Sequence, residues 1–269
     1  MALNFNDLVI RQIPAEVAYQ LVQIYHYSKV MPKLTKISFG GFINNKLEAA
    51  VTFGYGVRPY HTINKLFPSL STKDYLEIGK LCLNDDLPKN SESYFLTRTI
   101  KLVKAAMPNV KIIYTWADGM MGKPGYIYQA CNFLYGGFIT TDRYISNDGE
   151  QIHPRSSRQI IEVGGGNPDR VRPTFETMEN ADIRHYTGKQ FRYALFVCGK
   201  PERKRLLKES TVDWSIDYPK EGDLAWRVKR QSGWSSCDMP LINPLAHKYH
   251  TLKIGNGETQ MALPIENKE

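Results

Sequence analysis

A phenol, an imidazole and two carboxylates stand at positions where the sequence can support acid–base chemistry. Tyr128 lies in a short helical stretch, where its phenol can donate a proton to a leaving group. His26 ends the first predicted helix between two tyrosines, where it can act as a base or hold an amine. Glu77 and Asp118 lie on or just after neighbouring predicted strands, so they can accept protons, orient an amine or bind a metal. The structural alternatives are ring packing for the tyrosine and hydrogen bonding or ion pairing for the other three.

A second group of residues lies where a strand gives way to a helix. Lys89, Asn90, Ser91 and Ser93 follow the predicted strand Tyr75–Leu83 and open a predicted helix. The unpaired N–H groups and positive dipole end of a helix start suit a phosphate or pyrophosphate. Ordinary helix capping is the alternative interpretation of the same residues.

The hydrophobic pattern predicts the elements that position these residues. In chain order they are a helix from Pro14 to about His26, strands Ile37–Ile43 and Leu47–Tyr55, a loop with Pro59 and Pro68, strand Tyr75–Leu83, helix Ser91–Met107, strand Val110–Ala117, helix Pro124–Asn132 and strand Phe133–Thr140. Asn44 and Asn45 tolerate the positive φ of a tight turn, which predicts a hairpin between the first two strands. The alternation of strands and helices predicts an α/β domain.

Three consecutive glycines, Gly164–Gly166, form the best linker candidate. We therefore expect a catalytic domain over residues 1–164. Residues 165–220 are expected to pack on it with a basic strand, Phe191–Cys198, and a basic helix, Glu202–Leu207. Residues 221–269, rich in Gly, Pro and Asn, are expected to form an irregular C-terminal extension.

The composition is typical of a folded protein with an anionic partner. Of 269 residues, 42% are hydrophobic, and 35 basic side chains against 27 acidic ones give a net charge of +8. Such an excess favours nucleic acid as the partner, although many housekeeping proteins are equally basic. The four cysteines are widely spaced, and no apolar run approaches the ~20 residues of a membrane span. We expect a reduced, cytoplasmic protein without membrane association.

The order of the elements resembles the GNAT superfamily of acyl-CoA-dependent N-acyltransferases. The resemblance implies a mixed, mostly antiparallel sheet flanked by helices, with acetyl-CoA as the cofactor and Tyr128 as the general acid. The residues it implies for cofactor binding are Leu81, Leu83, Lys89, Asn90, Ser91, Ser93 and Asn132. The superfamily's Q/R-x-x-G-x-G/A signature is replaced by Pro88-Lys89-Asn90-Ser91-Glu92-Ser93, which departs from the usual pyrophosphate loop.

A narrower resemblance rests on an ordered set of short motifs. They are Tyr25-His26-Tyr27-Ser28-Lys29, the hairpin from Gly40 to Gly54, Glu77-Ile78-Gly79-Lys80-Leu81-Cys82, Asn90-x-Glu92-Ser93-x-Phe95-Leu96, Ala117-Asp118 and Gly125-x-Ile127-Tyr128-Gln129-Ala130-x-Asn132-Phe133. Over residues 8–165, and weakly through Lys189–Lys220, this set is similar to the phage Mom family. Members convert adenine in DNA to N6-(methylcarbamoyl)adenine and so protect phage DNA from host restriction. Gly79 departs from the polar or basic residue expected before Lys80.

The resemblance implies a catalytic set of His26, Tyr27, Glu77, Asp118 and Tyr128. The first four are also the candidate ligands if the reaction uses a metal, a question that the sequence leaves open. The family's product joins adenine N6 to the methyl carbon and leaves a terminal amide, which simple acetyl transfer cannot produce.

Double-stranded DNA is the partner that the resemblance implies, and chemistry on a duplex base requires the base to leave the stack. The candidate DNA contacts are Tyr25, Lys29, Tyr60, Arg203, Lys204, Arg205, Arg227, Lys229 and Arg230. Two other functions remain open at this point: a GNAT acetyltransferase for a small amine, nucleotide, RNA or protein, and a non-catalytic DNA-binding phage protein. The sequence does not indicate the oligomeric state.

Overall fold

A computed structural model describes residues 7–56, 59–152, 157–167, 169 and 172–243. The strands are β1 (Val9–Ile13), β2 (Thr35–Ile43), β3 (Lys46–Gly54), β4 (Tyr75–Leu83), β5 (Ile112–Asp118), β6 (Leu134–Ser146), β7 (Gln151–Ile152), β8 (Ile183–Phe196), β9 (Trp226–Arg230) and β10 (Gly233–Cys237). The helices are α1 (Ala15–Tyr25), α2 (Pro59–Leu66), α3 (Ser91–Ala106), α4 (Tyr126–Ala130), α5 (Ser157–Val163), α6 (Phe175–Asn180) and α7 (Lys200–Glu209).

The chain forms two compact units, each built from more than one segment. Of the described residues, those within 7–141 and 188–226 form the larger unit, and those within 142–187 and 227–243 form the smaller. This grouping differs from the sequence-based division at residue 164, because β8 returns the chain to the larger unit. There Phe191 lies opposite Ala117 and Phe196 opposite Ile112, antiparallel to β5.

The sheet of the larger unit has the order β1-β2-β3-β4-β5-β8-β6, to which β6 and β8 contribute the parts within that unit. The pairs β1–β2, β2–β3, β3–β4 and β5–β8 are antiparallel, whereas β4 and β5 run parallel. Asn44 and Asn45, with φ of 49° and 64°, form the turn between β2 and β3. The predicted α/β class with a GNAT-like, mostly antiparallel sheet is confirmed.

The parallel strands β4 and β5 pair briefly and then separate. Within the described residues they pair at three positions, and the last joins Glu77 to Tyr114. Both strands continue beyond this point, β4 to Leu83 beside β3 and β5 to Asp118 beside β8. We call the space between their diverging ends the β4/β5 opening.

Helices cover both faces of this sheet. On the side we call the α3 face, Phe95 and Leu96 of α3 pack against Ile78 of β4 and Ile113 of β5. On the opposite side, the α1 face, two further clusters form. In one, Leu21 and Val22 of α1 pack with Ala50 and Cys82, and in the other, Ile63 of α2 packs with Tyr75, Ile112 and Tyr114.

A β-bulge at Gly79 decides which β4 side chains point to which face. Lys80 lies opposite Thr52 and Ile78 opposite Phe53, so Gly79 is an extra residue in β4. An added Cβ at Gly79 would lie 2.6 Å from Cγ of Pro32, so little room exists for a larger residue. The extra residue turns Lys80 to the α1 face, whereas unbroken alternation would place it beside Ile78 on the α3 face.

The smaller unit has its own core. Tyr144, Ile152, Ile160, Met178 and Ile183 pack together, and β7 pairs with the end of β6. The hairpin of β9 and β10 lies within the predicted irregular extension, so that part of the expectation was wrong. The rest of the extension, residues 244–269, lies outside the described residues.

Further elements also differ from the predicted ones, among them α2 and β1. The segment predicted as a loop around Pro59 contains α2, because Pro59 occupies a first-turn position and Ile63 and Leu66 share one buried face. Strand β1 was not predicted, because its five residues alternate poorly. All four cysteines are free thiols, and no helix in the described part of the chain has the length and apolar character to cross a membrane.

Candidate functional site

A tyrosine and an aspartate meet on the α1 face of the β4/β5 opening. Asp118 is the last residue of β5, and its Oδ1 accepts a hydrogen bond of 3.1 Å from the backbone N–H of Met120. Its Oδ2 accepts a hydrogen bond of 3.3 Å from the phenol of Tyr27. Tyr27 follows α1, so this contact joins two segments that are 91 residues apart in sequence.

Two lysines place positive charge beside this pair. Lys80 is buried, and its Nζ donates a hydrogen bond of 2.9 Å to the backbone oxygen of Ser28. Burial lowers the pKa of Lys80 to about 8, although the charge of Asp118 acts in the opposite direction. Lys123 Nζ lies 5.5 Å from the ring centroid of Tyr27. The arrangement therefore holds a carboxylate between cationic groups and a phenol.

His26 stacks on Tyr27 with ring centroids 4.5 Å apart and is neutral. Its Nδ1 accepts a hydrogen bond of 2.9 Å from the backbone N–H of Ser28. Burial is the largest cause that lowers its pKa to about 3; the charges of Lys80 and Lys123 act in the same direction, and the hydrogen bond from Ser28 acts against them. Because Nδ1 is an acceptor, the proton of the neutral ring is assigned to Nε2. This geometry favours His26 as a hydrogen-bond donor rather than as a base.

Glu77 lies where β4 and β5 begin to separate. Its side chain is half-buried, and burial raises the pKa of its carboxyl to about 7. Gly56, with φ of +70°, leaves the space that the carboxyl occupies, since an added Cβ would lie within 2.2 Å of Oε2. The site therefore contains a carboxyl that changes its protonation near neutral pH.

Tyr128 belongs to the α3 face. Its ring packs 5.6 Å from Phe133 and 5.5 Å from Tyr193, centroid to centroid. Burial raises the pKa of its phenol, and a hydrogen bond with Thr115 opposes the shift. The phenol therefore keeps its proton at neutral pH. Gly125, with φ of +101°, begins the helix against the Tyr193 ring, where an added Cβ would lie 2.5 Å away.

The turn between β4 and α3 leaves the helix start without a side-chain cap among the described residues. Asn90 adopts a left-handed conformation with φ of 76°, and Ser93 Oγ donates a hydrogen bond of 3.0 Å to its backbone oxygen. Ser91 is buried and donates its hydroxyl to the backbone oxygen of Pro88, while Lys89 is exposed. The serine hydroxyls thus fix the turn and leave the first N–H groups of α3 without a side-chain partner.

The remaining predicted cofactor residues lie close to the α3 face. Leu81 and Leu83 are half-buried against its core. Asn132 is exposed, with φ of 60°, in the turn after α4. Leu81 and Leu83 belong to the part of β4 that pairs with β3 and, in the described residues, has no ladder to β5. These features fit an extended acyl-CoA molecule: an open strand edge for its amides and an uncapped helix start for its phosphates.

The predicted DNA contacts fall into several places. Tyr25 packs against the α1 cluster, Lys29 donates to the backbone oxygen of Ile24, and Tyr60 is 75% exposed. Those on α7 are Arg203, Lys204 and Arg205, all exposed. Those in the smaller unit are Arg227, Lys229 and Arg230 on β9.

Not all of these cations are equally available to phosphate. Arg205 pairs with both Glu202 and Glu209 at 2.9 and 2.8 Å. Lys229 lies 5.6 Å from the ring centroid of Trp234, and Arg227 donates to the backbone oxygen of the same tryptophan. Arg205 is therefore the least available of the set, because two carboxylates already neutralise it.

The structure brings His26, Tyr27 and Asp118 together, with Glu77 at the start of the opening and Tyr128 on the opposite face. Among the described residues, no three His, Cys, Asp or Glu side chains lie close enough to hold a metal ion. Three of the four candidate metal ligands, His26, Tyr27 and Asp118, nevertheless lie together, and a metal at this place stays a prediction.

Two residues of the site were not predicted. Lys80 and Lys123 surround the Tyr27–Asp118 pair, yet the prediction included neither among the site residues. A lysine inside the apolar strand Tyr75–Leu83 was the available signal for Lys80. Lys123 stands between a glycine and a proline in a turn, and its sequence context gives no such signal.

The topology and the opening define the chain as a GNAT-like α/β protein. More narrowly, it belongs to the Mom protein family, whose model matches residues 7–220. It is 28% identical over 201 residues to a protein of Escherichia phage Mu named methylcarbamoylase mom. The matched region covers 75% of this chain and 80% of the phage Mu protein.

Solved structures with a similar fold include two acetyltransferases. An aminoglycoside 6'-acetyltransferase type Ii is 9% identical and covers 72% of this chain and 99% of its own, with a TM-score of 0.39. A Bacillus subtilis acetyltransferase in complex with CoA is 13% identical and covers 71% and 99%, also with a TM-score of 0.39. The similarity to both concerns the fold alone.

Proposed function

We propose that this protein modifies DNA, converting adenine to N6-(methylcarbamoyl)adenine with a group derived from acetyl-CoA. In this proposal it acts in the bacterial cytoplasm and protects phage DNA from host restriction. Membership of the Mom family and the name of the phage Mu relative support the activity. The observation that carries the proposal is the β4/β5 opening, which separates a polar, charged site from a tyrosine in apolar surroundings.

The α3 face suits the cofactor. The open edge of β4 and the start of α3 would hold acetyl-CoA, with Lys89 beside its phosphates. Acetyl-CoA would supply the two carbons of the added group, and its thiolate would leave when the carbonyl carbon forms the amide. The amide nitrogen and the bond from N6 to the methyl carbon further require a nitrogen donor and a two-electron oxidant as co-reactants. Tyr128 keeps its phenol proton at neutral pH and can donate it to a leaving thiolate.

The α1 face suits the acceptor base. The Tyr27–Asp118 pair offers a carboxylate that can accept a proton, and the nearby Lys80 stabilises its charge. His26 presents an N–H donor beside the ring of Tyr27, on which an extruded base can stack. The exposed cations Arg203, Lys204 and Arg230 suit phosphate contacts that do not depend on sequence.

The test is the mass of the nucleosides in plasmid DNA from bacteria that express the protein. Tyr128→Phe removes the phenol proton but keeps the ring and its packing. The matched control is Tyr126→Phe in the same helix, because Tyr126 is 47% exposed and lies outside the proposed site.

We expect a heavier adenosine with the wild type and with Tyr126→Phe, and a reduction of about 100-fold with Tyr128→Phe. The mass of the adduct distinguishes a methylcarbamoyl group from an acetyl group. Unmodified DNA from cells that contain well-folded wild-type protein would contradict the proposal and favour a different acceptor. Equal modification by both variants would exclude Tyr128 as the acid.

A further inference from the structure

A half-buried arginine lies on the α1 face of the larger unit. Arg192 of β8 pairs opposite Trp116 of β5, and the next pair on the same side, Ala194 and Tyr114, belongs to the cluster under α2. Opposite residues of an antiparallel pair share a face, so Arg192 and Trp116 lie on the α1 face as well. No salt bridge in the described part of the chain includes Arg192. Its charge is therefore not balanced by a carboxylate there.

The contacts that Arg192 makes leave most of its donors unused. Its Nη1 donates a hydrogen bond of 2.7 Å to the backbone oxygen of Gly136, and the guanidinium carbon lies 5.3 Å from the ring centroid of Trp116. Within the described residues, its buried Nε makes no hydrogen bond of regular geometry, and neither does the buried phenol of Tyr114. Burial raises the pKa of this phenol, and the charge of the neighbouring Arg192 opposes the shift. Because a guanidinium has five N–H donors, several remain for a ligand.

The surroundings of Arg192 favour an anion with several oxygen atoms. A guanidinium is always charged at physiological pH, and its planar fork binds phosphate through two parallel hydrogen bonds. The indole of Trp116 stabilises the cation, and it is itself half-buried and packs edge-on against Tyr114. Attraction between opposite charges is stronger in such a partly desolvated place than in water. The ligand that best fits these features is a phosphate group.

The position of Arg192 favours a phosphate of the DNA rather than one of the cofactor. Trp116 precedes Asp118 by two residues on β5, so both side chains lie on the face proposed for the acceptor base. The cofactor phosphates are instead proposed at the start of α3, which covers the opposite face. Every nucleotide within a DNA strand has a phosphate on each side, so an extruded adenine enters the site between two of them.

We propose that Arg192 binds a phosphate that flanks the extruded adenine, through the guanidinium donors that the protein leaves free. Trp116 and the backbone oxygen of Gly136 hold the guanidinium in place for this contact. This inference rests on the proposed function and specifies how the target nucleotide is positioned. A phosphate contact carries no sequence information, so Arg192 fixes the place of the nucleotide and not the identity of its base.

The experiment measures binding of short duplexes in which one adenine lies opposite an abasic site, so that it leaves the stack easily. One duplex has only ordinary phosphates, and two others carry a neutral methylphosphonate on the 5′ or the 3′ side of this adenine. A fourth carries the methylphosphonate near one end. Fluorescence anisotropy without cofactor gives the dissociation constants for the wild type, Arg192→Met and Arg192→Lys, each checked for folding by circular dichroism. The matched control is Arg98→Met, because Arg98 is exposed on α3 and lies 3.4 Å from the ring centroid of Tyr94.

We expect the wild type to bind one of the two flanking methylphosphonate duplexes about tenfold more weakly than the ordinary duplex, because a charge-assisted contact is lost. Arg192→Met should bind the ordinary duplex about tenfold more weakly and no longer distinguish it from that methylphosphonate duplex. Arg192→Lys keeps the charge and should still distinguish them. Arg98→Met should behave as the wild type, and the methylphosphonate near the end should affect all four proteins equally.

The outcomes separate the inference from the proposed function. If the wild type bound both flanking methylphosphonate duplexes as tightly as the ordinary one, the inference would be overturned, while DNA binding itself would still support the function. Equal weakening of all duplexes by Arg192→Met, with the preference for phosphate kept, would show a merely structural role for Arg192 and would also overturn it. If Arg192→Met did not fold, loss of the preference in folded Arg192→Lys would support the contact only through the planar fork, and an unchanged preference and affinity would overturn it. No binding of any duplex by the wild type would contradict the proposed function, and the inference with it.

Discussion

The two faces of the β4/β5 opening differ in almost every property, although the same two strands build both. The α3 face presents leucines, Thr115 and the protonated phenol of Tyr128. The α1 face presents a carboxylate, two lysines and a neutral histidine. The bulge at Gly79 makes this difference possible, because it places Lys80 on one face and Leu81 on the other. The phenol on the α3 face and the acid–base groups on the α1 face thus lie in surroundings of different polarity, although only the sheet separates the two faces.

The largest effect is expected from Asp118→Asn, which tests whether the α1 face alone carries acceptor chemistry. Asparagine still accepts the hydrogen bond from Met120, so the turn is preserved. It neither accepts a proton nor balances the charge of Lys80. We expect the rate of adenine modification to fall by about 100-fold or more.

Calorimetric titration with acetyl-CoA supplies the control for this variant. Its dissociation constant should remain unchanged, because the proposed cofactor contacts lie on the α3 face. A variant that modified DNA normally but lost acetyl-CoA binding would reverse the assignment of the two faces.

A smaller effect is expected from Glu77→Gln, which changes how the free energy of unfolding depends on pH. The pKa of Glu77 is about 7 in the folded protein and 4.5 in the unfolded chain. Its favourable contribution is therefore fully present below pH 4.5 and is lost as the pH rises towards 7. Glutamine has no charge to desolvate, so the variant should be more stable than the wild type at pH 8, by about 1–2 kcal/mol.

Urea unfolding at pH 4.5 and pH 8 measures this difference. The charges of His26 and Lys80 titrate in both proteins and therefore cancel in the comparison. If the wild type and Glu77→Gln differed in free energy of unfolding by the same amount at pH 4.5 and at pH 8, Glu77 would ionise as freely in the folded protein as it does in water.

The sequence predicted the individual strands and turns of the site better than the way in which they are arranged in space. Strand β4 was predicted with its exact ends, and the Asn44–Asn45 turn was predicted from its tolerance of positive φ. The sequence could not predict on which face of the sheet Lys80 lies, because one bulge residue reverses the alternation of all later side chains in β4. Contact between Tyr27 and Asp118 depends on pairing between distant segments, which periodicity does not specify.

The smallest effect is expected from Lys89→Ala, which tests the α3 face at its exposed end. Lys89 lies before the uncapped start of α3, so its ammonium can approach the cofactor phosphates without being desolvated. An exposed charge contact contributes little, and we expect the KM for acetyl-CoA to rise about threefold while kcat stays unchanged. The matched control is Lys101→Ala on the exposed side of the same helix, which should change neither constant. Added salt should reduce the difference between wild type and Lys89→Ala, because it screens the charge that the substitution removes. A fall in kcat at constant KM would instead place Lys89 with the chemistry of the α1 face.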